Sequence, residues 1–401
     1  MTPDTAAARR SLADRLERAG ILTPAWRSAV EAVPRELFLH PGVFLPTEDG
    51  DWRPVTALGT APQEWARIAY REESLVTQLD GHLTADQAGG VVDGNPTSSS
   101  TTPTTVVAMI EHLDVDNGHT VLEIGTGTGY STALMCHRLG EDNVTTVEVD
   151  PDVAARADAA LEAAGYSTWT VTGDGLLGHP LRAPYDRVIA TCAVRRIPYT
   201  WVRQTRPGGI ILSTVGSWPY GTGLAKVTVR EDGTAEGRIL GRSSFMQARS
   251  QAVGHEGVDL SARTAYADSE RPTRIPPSLL DEWMPAFLAQ LTAPGAHLLR
   301  ASANGVHSVY LFDDERESFA AFTGDGVDWT VRQGGPVALW DDIEETLTAW
   351  QHAGEPGISS VRLHITDRSH TYWIGGRQIT TPSRTAWVTD TRELRWEHRV
   401  A

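Results

Sequence analysis

One lysine, Lys226, and two cysteines, Cys136 and Cys192, are the scarcest features of this 401-residue sequence. Two cysteines cannot build a disulfide framework, and they fit a reducing, cytoplasmic setting. With lysine nearly absent, positive charge rests on arginine, the side chain that grips carboxylates bidentately. No apolar run approaches the roughly 18 residues of a membrane span, and the N-terminal stretch MTPDTAAARRSLADRLERAG lacks the apolar core of a secretory signal. Lys+Arg amounts to 35 against 51 Asp+Glu, a formal charge of −16. That balance does not supply the basic surface needed to displace counterions from nucleic-acid phosphates. Aromatic residues are only 7%, yet hydrophobic residues reach 40%, enough for a buried core. The length suggests two domains. These observations predict a soluble cytoplasmic protein with neither nucleic acid nor membrane as partner.

Leu12 and Leu16 ahead of Gly20 predict a short opening helix, and Thr23-Pro24 predicts an N-cap and first turn for a second, with Trp26, Val30 and Val33 on one face. Residues 41–97 are rich in Pro, Gly and Asp without sustained periodicity, which predicts an insertion or a lid. From residue 103 onward a different rhythm begins. A helix through Val106, Val107, Ile110 and Leu113 leads to apolar runs at Thr120–Ile124, Val144–Val149, Trp169–Thr172, Arg187–Ala190 and Ile210–Val215. Helical stretches at Tyr130–Leu139 and Val153–Ala164 alternate with them. The alternation predicts an α/β fold with a doubly wound, Rossmann-like sheet. Leu224–Arg230 and Thr234–Leu240, joined by Glu231-Asp232-Gly233, predict a hairpin closing that sheet. After about residue 250 the rhythm stops. A proline-rich link at Arg271–Pro277, helices near Leu279–Leu291 and Trp340–His352, and β-like runs at His307–Phe312 and Val361–Ile365 predict a smaller α+β domain. The division is then 1–250 and 251–401.

The main chemical signal is Val121-Leu-Glu-Ile-Gly125-Thr-Gly127-Thr-Gly129-Tyr130. Glycines at a strand-to-helix turn let backbone N–H groups approach a ligand, and the helix start favours an anionic group. A dinucleotide fingerprint needs glycine where Tyr130 stands, and no Lys-Ser/Thr follows to make a phosphate-binding P-loop. Left is a G-x-G-x-G loop preceded by an acidic residue, Glu123. Glu148 ends the second strand, 19 residues after Gly129, where a carboxylate can accept from both hydroxyls of a ribose. The neighbouring Asp150 precedes Pro151 and reads better as a helix cap. Gly173-Asp174-Gly175 follows the third strand. Alone it would be a turn; in series with the other two signals, Asp174 reads as an acceptor for an adenine amino group. Amino acid, ribose and adenine together describe S-adenosylmethionine.

At this point the chain resembles the protein-L-isoaspartyl O-methyltransferase family of class I methyltransferases. The matching stretches are Val33-Pro34-Arg35-Glu-Leu-Phe38, Ser98-Ser-Ser-Thr101-Thr-Pro103, VLEIGTGTGY, GDG at 173–175, Ala183-Pro184-Tyr185-Asp186 and Arg206-Pro207-Gly208-Gly209. The resemblance covers roughly residues 25–250. It implies Thr101 as the active-site hydroxyl, with Ser98, Ser99 and Ser100 flanking cofactor and substrate. It also implies Glu123, Gly125, Thr126, Gly127, Gly129 and Tyr130 around the amino-acid end of the cofactor. Glu148 with Val149 and Asp174 with Gly175 fall at the ribose and adenine positions. The longer link before Ser98 and the 150-residue tail resemble homologues that methylate an aspartate in modified, macrocyclic ribosomal peptides (graspetide, lanthipeptide and lasso-peptide pathways), the ester then closing to an aspartimide.

A carboxylate is already ionised at neutral pH, and attack on a sulfonium methyl needs no general base. The 13 histidines offer no convincing catalytic or metal-binding arrangement, and lone ones such as His364 and His370 read as structural. Thr101 is expected to orient the carboxylate rather than attack. Among the tail tryptophans, Trp340 and Trp350 fit a buried helix face; Trp283, Trp329, Trp373, Trp387 and Trp396 are candidates for core or peptide groove. An acidic peptide on so acidic a protein calls for local positive charge, for which Arg195-Arg196 and Arg249 are candidates, and Ser99 is a candidate substrate contact. Three alternatives remain: a general isoaspartyl repair enzyme, a non-catalytic cofactor-binding scaffold, and a NAD-dependent oxidoreductase, the last disfavoured by Tyr130.

Overall fold

The structure is a computed structural model and describes residues 5–218, 220–251, 263–303, 306–324, 328–374 and 376–382. Trp387 and Trp396 lie outside the described residues. Helices α1 (Ala6–Arg18) and α2 (Pro24–Ala32) open the chain, with Leu12, Leu16, Trp26 and Val30 buried. Thr23 does occupy the N-cap position of α2, but its hydroxyl donates to Glu111 (3.1 Å) rather than capping the helix.

Residues 41–100 form a four-stranded antiparallel sheet in the order β2-β1-β3-β4, from β1 (Gly42–Pro46), β2 (Trp52–Thr56), β3 (Leu75–Leu79) and β4 (Pro96–Ser100), with α3 (Pro62–Ala69) between β2 and β3. Expected as a lid or an insertion for want of sustained periodicity, the segment hides its strands because each is only five residues long. In β4, hydroxyls stand where apolar residues would mark the alternation: Ser98 and Ser100 are buried, Thr97 and Ser99 half-buried.

The large sheet has ten strands in the order β7-β6-β5-β8-β9-β10-β11-β17-β18-β19. Its parallel half is β5 (Val121–Ile124), β6 (Val144–Glu148), β7 (Trp169–Thr172), β8 (Tyr185–Val194) and β9 (Thr205–Val215). Helices α4 (Pro103–His112), α5 (Tyr130–Leu139), α6 (Pro151–Ala163) and α7 (Tyr199–Gln204) are interleaved with those strands. This is the doubly wound α/β order the alternation predicted. Successive strand residues point to opposite faces, so Val121, Ile189 and Leu212 pack under α1, α2, α4 and α5. Leu122, Val188 and Ile211 face a second core that continues into the tail.

The hairpin of β10 (Gly223–Val229) and β11 (Ala235–Arg242) is present, but it does not close the sheet. The free edge of β11 pairs with β17 (Arg362–Ile365), followed by β18 (Ser369–Ile374) and β19 (Arg377–Pro382), all antiparallel. The tail therefore divides between two sheets. Its other strands, β12 (Ser269–Pro272), β13 (Ala296–Ala303), β14 (Val306–Asp313), β15 (Ser318–Gly324) and β16 (Trp329–Gly334), form a separate antiparallel sheet. Helices α8 (Trp283–Thr292) and α9 (Leu339–His352) fill the space between, with Trp340, Ile343, Leu347 and Trp350 buried on one side of α9. Burying each such side chain contributes about 1.5–3 kcal/mol. No helix among the described residues is long and apolar enough to cross a membrane.

Candidate active site

The parallel strands end at one rim, and there the chain opens a pocket of about 1170 Å³, counted with its mouth. Strand β5 stops at Ile124 because Gly125, Gly127 and Gly129 take positive φ (90°, 55° and 88°), which turns the chain directly into α5. Glu148, the last residue of β6, accepts from the Gly127 N–H at 2.9 Å and from the Asp150 N–H at 3.2 Å, so its carboxylate stands at the pocket edge of the loop. Asp174 accepts from the Leu176 N–H at 3.0 Å. After it comes Gly175, where an added Cβ would come within 2.4 Å of Ile124 Cγ2; only glycine lets this turn lie against β5.

Strand β4 supplies the facing wall. Ser98, Ser99, Ser100 and Thr101 line the pocket together with Gly125, Thr126, Gly127, Tyr130, Glu148, Val149, Asp174, Gly175 and Arg249. The sequence-predicted residues thus converge on one cavity, with three exceptions. Glu123 lies beneath the loop, fully buried, accepting from Ser131 Oγ and Thr132 Oγ1 (both 2.5 Å) and Thr146 Oγ1 (2.9 Å). Burial holds its carboxyl above the usual range against those three hydroxyls. Its place is to pin the loop to α5 and β6, away from the pocket lining. Gly129 faces Ala157 and Leu161 of α6. Arg195 is buried, pairs with Glu315 at 3.1 Å and donates to the Gln251 carbonyl at 3.2 Å, so it joins the parallel strands to the tail.

Arg249 reaches the pocket but is engaged: it pairs with Asp150 at 2.8 Å, and Gln78 of β3 donates to the same carboxylate at 3.1 Å. Asp150 also caps α6, accepting from Asp152 N (2.9 Å) and Val153 N (3.1 Å), as its position before Pro151 predicted. Burial works against its charge, but Arg249, the helix N–H and Gln78 outweigh it and hold the carboxyl below its ordinary value.

Several pocket groups stand without a protein partner among the described residues or with a shifted titration. The hydroxyls of Ser100 and Tyr130 are buried without a protein partner among the described residues. Burial pushes the Tyr130 phenol and the Cys192 thiol each up to about 12, so both stay protonated at neutral pH. The Thr101 hydroxyl also has no partner among the described residues. Phe245, Met246 and Gln247 cross the pocket on a segment tied to β8 by the Ala193 N–H to Met246 carbonyl bond (2.8 Å) and its return from Ala248 N–H (2.8 Å). The apolar Phe245-Met246 pair just past β11 was the available signal.

Arg35 was visible only as part of a motif. Fully buried, it donates to the carbonyls of Thr101 (3.0 Å), Ser100 (3.3 Å), Arg71 (3.4 Å), Glu73 (3.4 Å) and Ala69, and lies 5.9 Å from the centre of the Tyr130 ring. One side chain therefore fixes the end of β4 against the chain that leaves α3.

The protein-L-isoaspartate(D-aspartate) O-methyltransferase family model matches residues 71–252. The protein-L-isoaspartate O-methyltransferase of Hyperthermus butylicus is 32% identical over 242 residues, covering 58% of this chain and 84% of that protein. The chain belongs to the protein-L-isoaspartate O-methyltransferase family. The namesake from Ignicoccus hospitalis is 39% identical over 140 residues, 34% of this chain and 66% of its own length. That from Methanosarcina mazei is 41% identical over 136 residues, 33% of this chain and 54% of its own. This chain thus spans about half to two thirds of those two relatives. A solved protein-L-isoaspartate O-methyltransferase superposes with a TM-score of 0.54 at 20% identity, covering 94% of this chain and all of its own. The fold is therefore the class I methyltransferase fold of that family. At 94% coverage, that shared fold extends over the tail as well.

Proposed function

We propose that the chain transfers a methyl group from S-adenosylmethionine to the side-chain carboxylate of an isoaspartyl or aspartyl residue in a peptide. The observation that carries this reading is the shared cavity. Thr101, whose hydroxyl has no partner among the described residues, faces the same space as the glycine loop, Glu148 and Asp174. The residues fit the cofactor. The buried hydroxyls of Ser100 and Tyr130, without partners among the described residues, and the two strand-end carboxylates offer donors and acceptors to a polar ligand, and Gly125 and Gly127 keep the loop open to close approach. Glu148 suits a ribose, Asp174 an adenine amino group, and the loop an amino-acid end. Bound there, S-adenosylmethionine supplies an electrophilic methyl group.

This chain's own part is positioning. Thr101 donates to the acceptor carboxylate and sets its line of approach, and Arg35 holds Thr101 in place. The neutral thiol of Cys192 does not compete as a nucleophile. The ester formed on the carboxylate is then open to the next backbone nitrogen, closing a succinimide with loss of methanol.

For the substrate, the names of the relatives favour an isoaspartyl residue of a protein. The finer reading, an aspartate in a modified ribosomal peptide closing to an aspartimide, rested on the insertion and the tail; the tail's counterpart in the solved structure leaves the insertion as its support. On either reading, the unit after residue 250 is inferred to help select the peptide. The test offers S-adenosylmethionine with an isoaspartyl peptide, its aspartyl twin and a macrocyclic aspartyl peptide, with methyl ester and succinimide read by mass. Turnover of the first and not the others is expected. Turnover confined to the macrocycle would establish peptide tailoring instead, and cofactor binding with no transfer to any of them would overturn methyl transfer.

A further inference from the structure

Beyond β9 the large sheet keeps its main core on one face. Val227, Ala235, Leu363, Tyr372 and Ile379 fill that face; on the opposite face the Leu224–Leu240 end packs under α4, and past it the strands of β10, β11, β17 and β18 carry polar side chains. On it, in direct cross-strand register, lie Lys226 opposite Arg238, Arg238 opposite Arg362, and Arg362 opposite Trp373. Arg230 and His364 flank the row, and these six line one shallow groove. Like charges directly opposite on neighbouring strands destabilise a sheet, so three cations in a row need a compensating charge.

The protein supplies only part of it. Lys226 pairs with Asp114 (2.5 Å) and Arg230 with Glu236 (2.8 Å). Arg238 and Arg362 are exposed and have no carboxylate partner among the described residues; Arg362 donates only to the Ser359 carbonyl at 2.8 Å. Beside them Trp373 stays 38% exposed, its ring 6.3 Å from that of His364. In a chain of net charge −16 that holds a single lysine, Lys226, this concentration of positive charge sets the local field against the global one. It also answers how so acidic a protein can hold an acidic peptide, since Arg195 and Arg249 are committed to Glu315 and Asp150.

We propose that this sheet face docks an acidic segment of the peptide substrate, apart from the residue that is methylated. Strands lie about 4.8 Å apart, so the row from Lys226 to Trp373 spans roughly 14 Å. That is the length of about four extended residues. Carboxylates of such a segment would meet Arg238 and Arg362, and Trp373 offers an aromatic anchor beside them. A long nucleic acid is disfavoured because the acidic remainder of the protein repels it. The use of the surface rests on the methyl-transfer reading; the binding does not.

Fluorescein-labelled hexaglutamate titrated with the full chain at low salt, read by anisotropy and without cofactor, tests the surface independently of catalysis. Binding should weaken as salt rises, by at least about tenfold in R238E/R362E and several-fold in W373A and in the milder R238Q/R362Q. Labelled hexaglutamine and a twelve-nucleotide single-stranded DNA should bind at least about tenfold more weakly than hexaglutamate. Equal hexaglutamate binding by wild type and both double variants overturns the proposal, as does oligonucleotide binding that matches or exceeds it. A kinetic arm then asks about use. An isoaspartyl peptide with a glutamate tail should show a lower KM than one with a glutamine tail, a ratio that falls to about one in R238E/R362E. A ratio of one in the wild type would overturn a role in substrate capture.

Discussion

The guanidinium of Arg35, without exposed surface, donates to the backbone carbonyl of Thr101 at 3.0 Å. It reaches the Ser100 carbonyl as well and, on its other side, three carbonyls between Ala69 and Glu73. A planar fork can reach acceptors on two separated segments from different nitrogens; an ammonium concentrates its three donors on one atom and reaches fewer of them. Arg35→Lys is therefore expected to keep the fold but loosen Thr101, lowering kcat about tenfold or more with S-adenosylhomocysteine affinity changed only a few-fold. Arg35→Ala, which leaves those carbonyls buried without a donor, should cost about 3 kcal/mol or more of stability in urea unfolding. A kcat unchanged in the lysine variant would limit Arg35 to a structural part.

Thr101→Val removes a hydroxyl that bonds nothing among the described residues while keeping the shape of the side chain. Loss of a hydrogen bond to a charged acceptor is worth about 1.5–3 kcal/mol, so methyl transfer should fall by about tenfold to a hundredfold. Since the valine leaves the glycine loop, Glu148 and Asp174 untouched, calorimetric affinity for S-adenosylhomocysteine should stay within several-fold. Turnover at the wild-type rate would assign substrate orientation to another pocket hydroxyl.

Which parts of this protein were legible beforehand follows from how far apart the cooperating residues lie. The βα units from β5 to β9 were readable because each is local: an apolar run, a glycine or Asx turn, then a helical period. Glu148 and Asp174 could be placed since they end such runs. The wall built by Ser98 and Ser100 could not be read as a strand from hydroxyls whose burial depends on β3. The hairpin of β10 and β11 was legible, but not its place in the middle of the sheet, because its outer neighbour β17 lies more than 100 residues further on. For the same reason Arg195 and Arg249 looked available, whereas Glu315 and Asp150 occupy them. The row from Lys226 to Trp373 exists only once that long-range register is known.

Glu148 joins two backbone N–H groups to the rim of the pocket, so its replacement should act on the cofactor before it acts on catalysis. Glu148→Ala leaves the Gly127 N–H without its acceptor and removes the carboxylate proposed for the ribose hydroxyls. At about 1.5–3 kcal/mol for charge-assisted bonds, affinity for S-adenosylhomocysteine should weaken by about tenfold to a hundredfold in calorimetry. Glu148→Gln, which can still accept from Gly127, should weaken it less. If both variants bind as the wild type does, the ribose site lies elsewhere in the pocket.

Acid should lower the stability of the protein through two overlapping windows, the higher of which opens first. His370 of β18 is fully buried, and burial followed by the Arg196 charge lowers its pKa to about 3. The native state therefore refuses a proton that the unfolded chain accepts near 6.5, so this contribution is complete above about pH 6.5 and drains away as pH falls toward 3. Glu344 of α9 is held at about 2: burial opposes its charge, but Thr273, the Arg274 N–H and Arg271 outweigh it. Its contribution is complete above about pH 4.5 and is lost between there and 2. Each group adds a slope of at most about 1.4 kcal/mol per pH unit within its own window. Urea unfolding from pH 7 to 3.5 should show stability already falling below pH 6.5. His370→Leu should flatten the upper part of that fall, and Glu344→Gln the part below 4.5. A His370→Leu profile that keeps the full wild-type slope between pH 5 and 6.5 would assign that slope to the other histidines that burial lowers, His40, His112, His119 and His179.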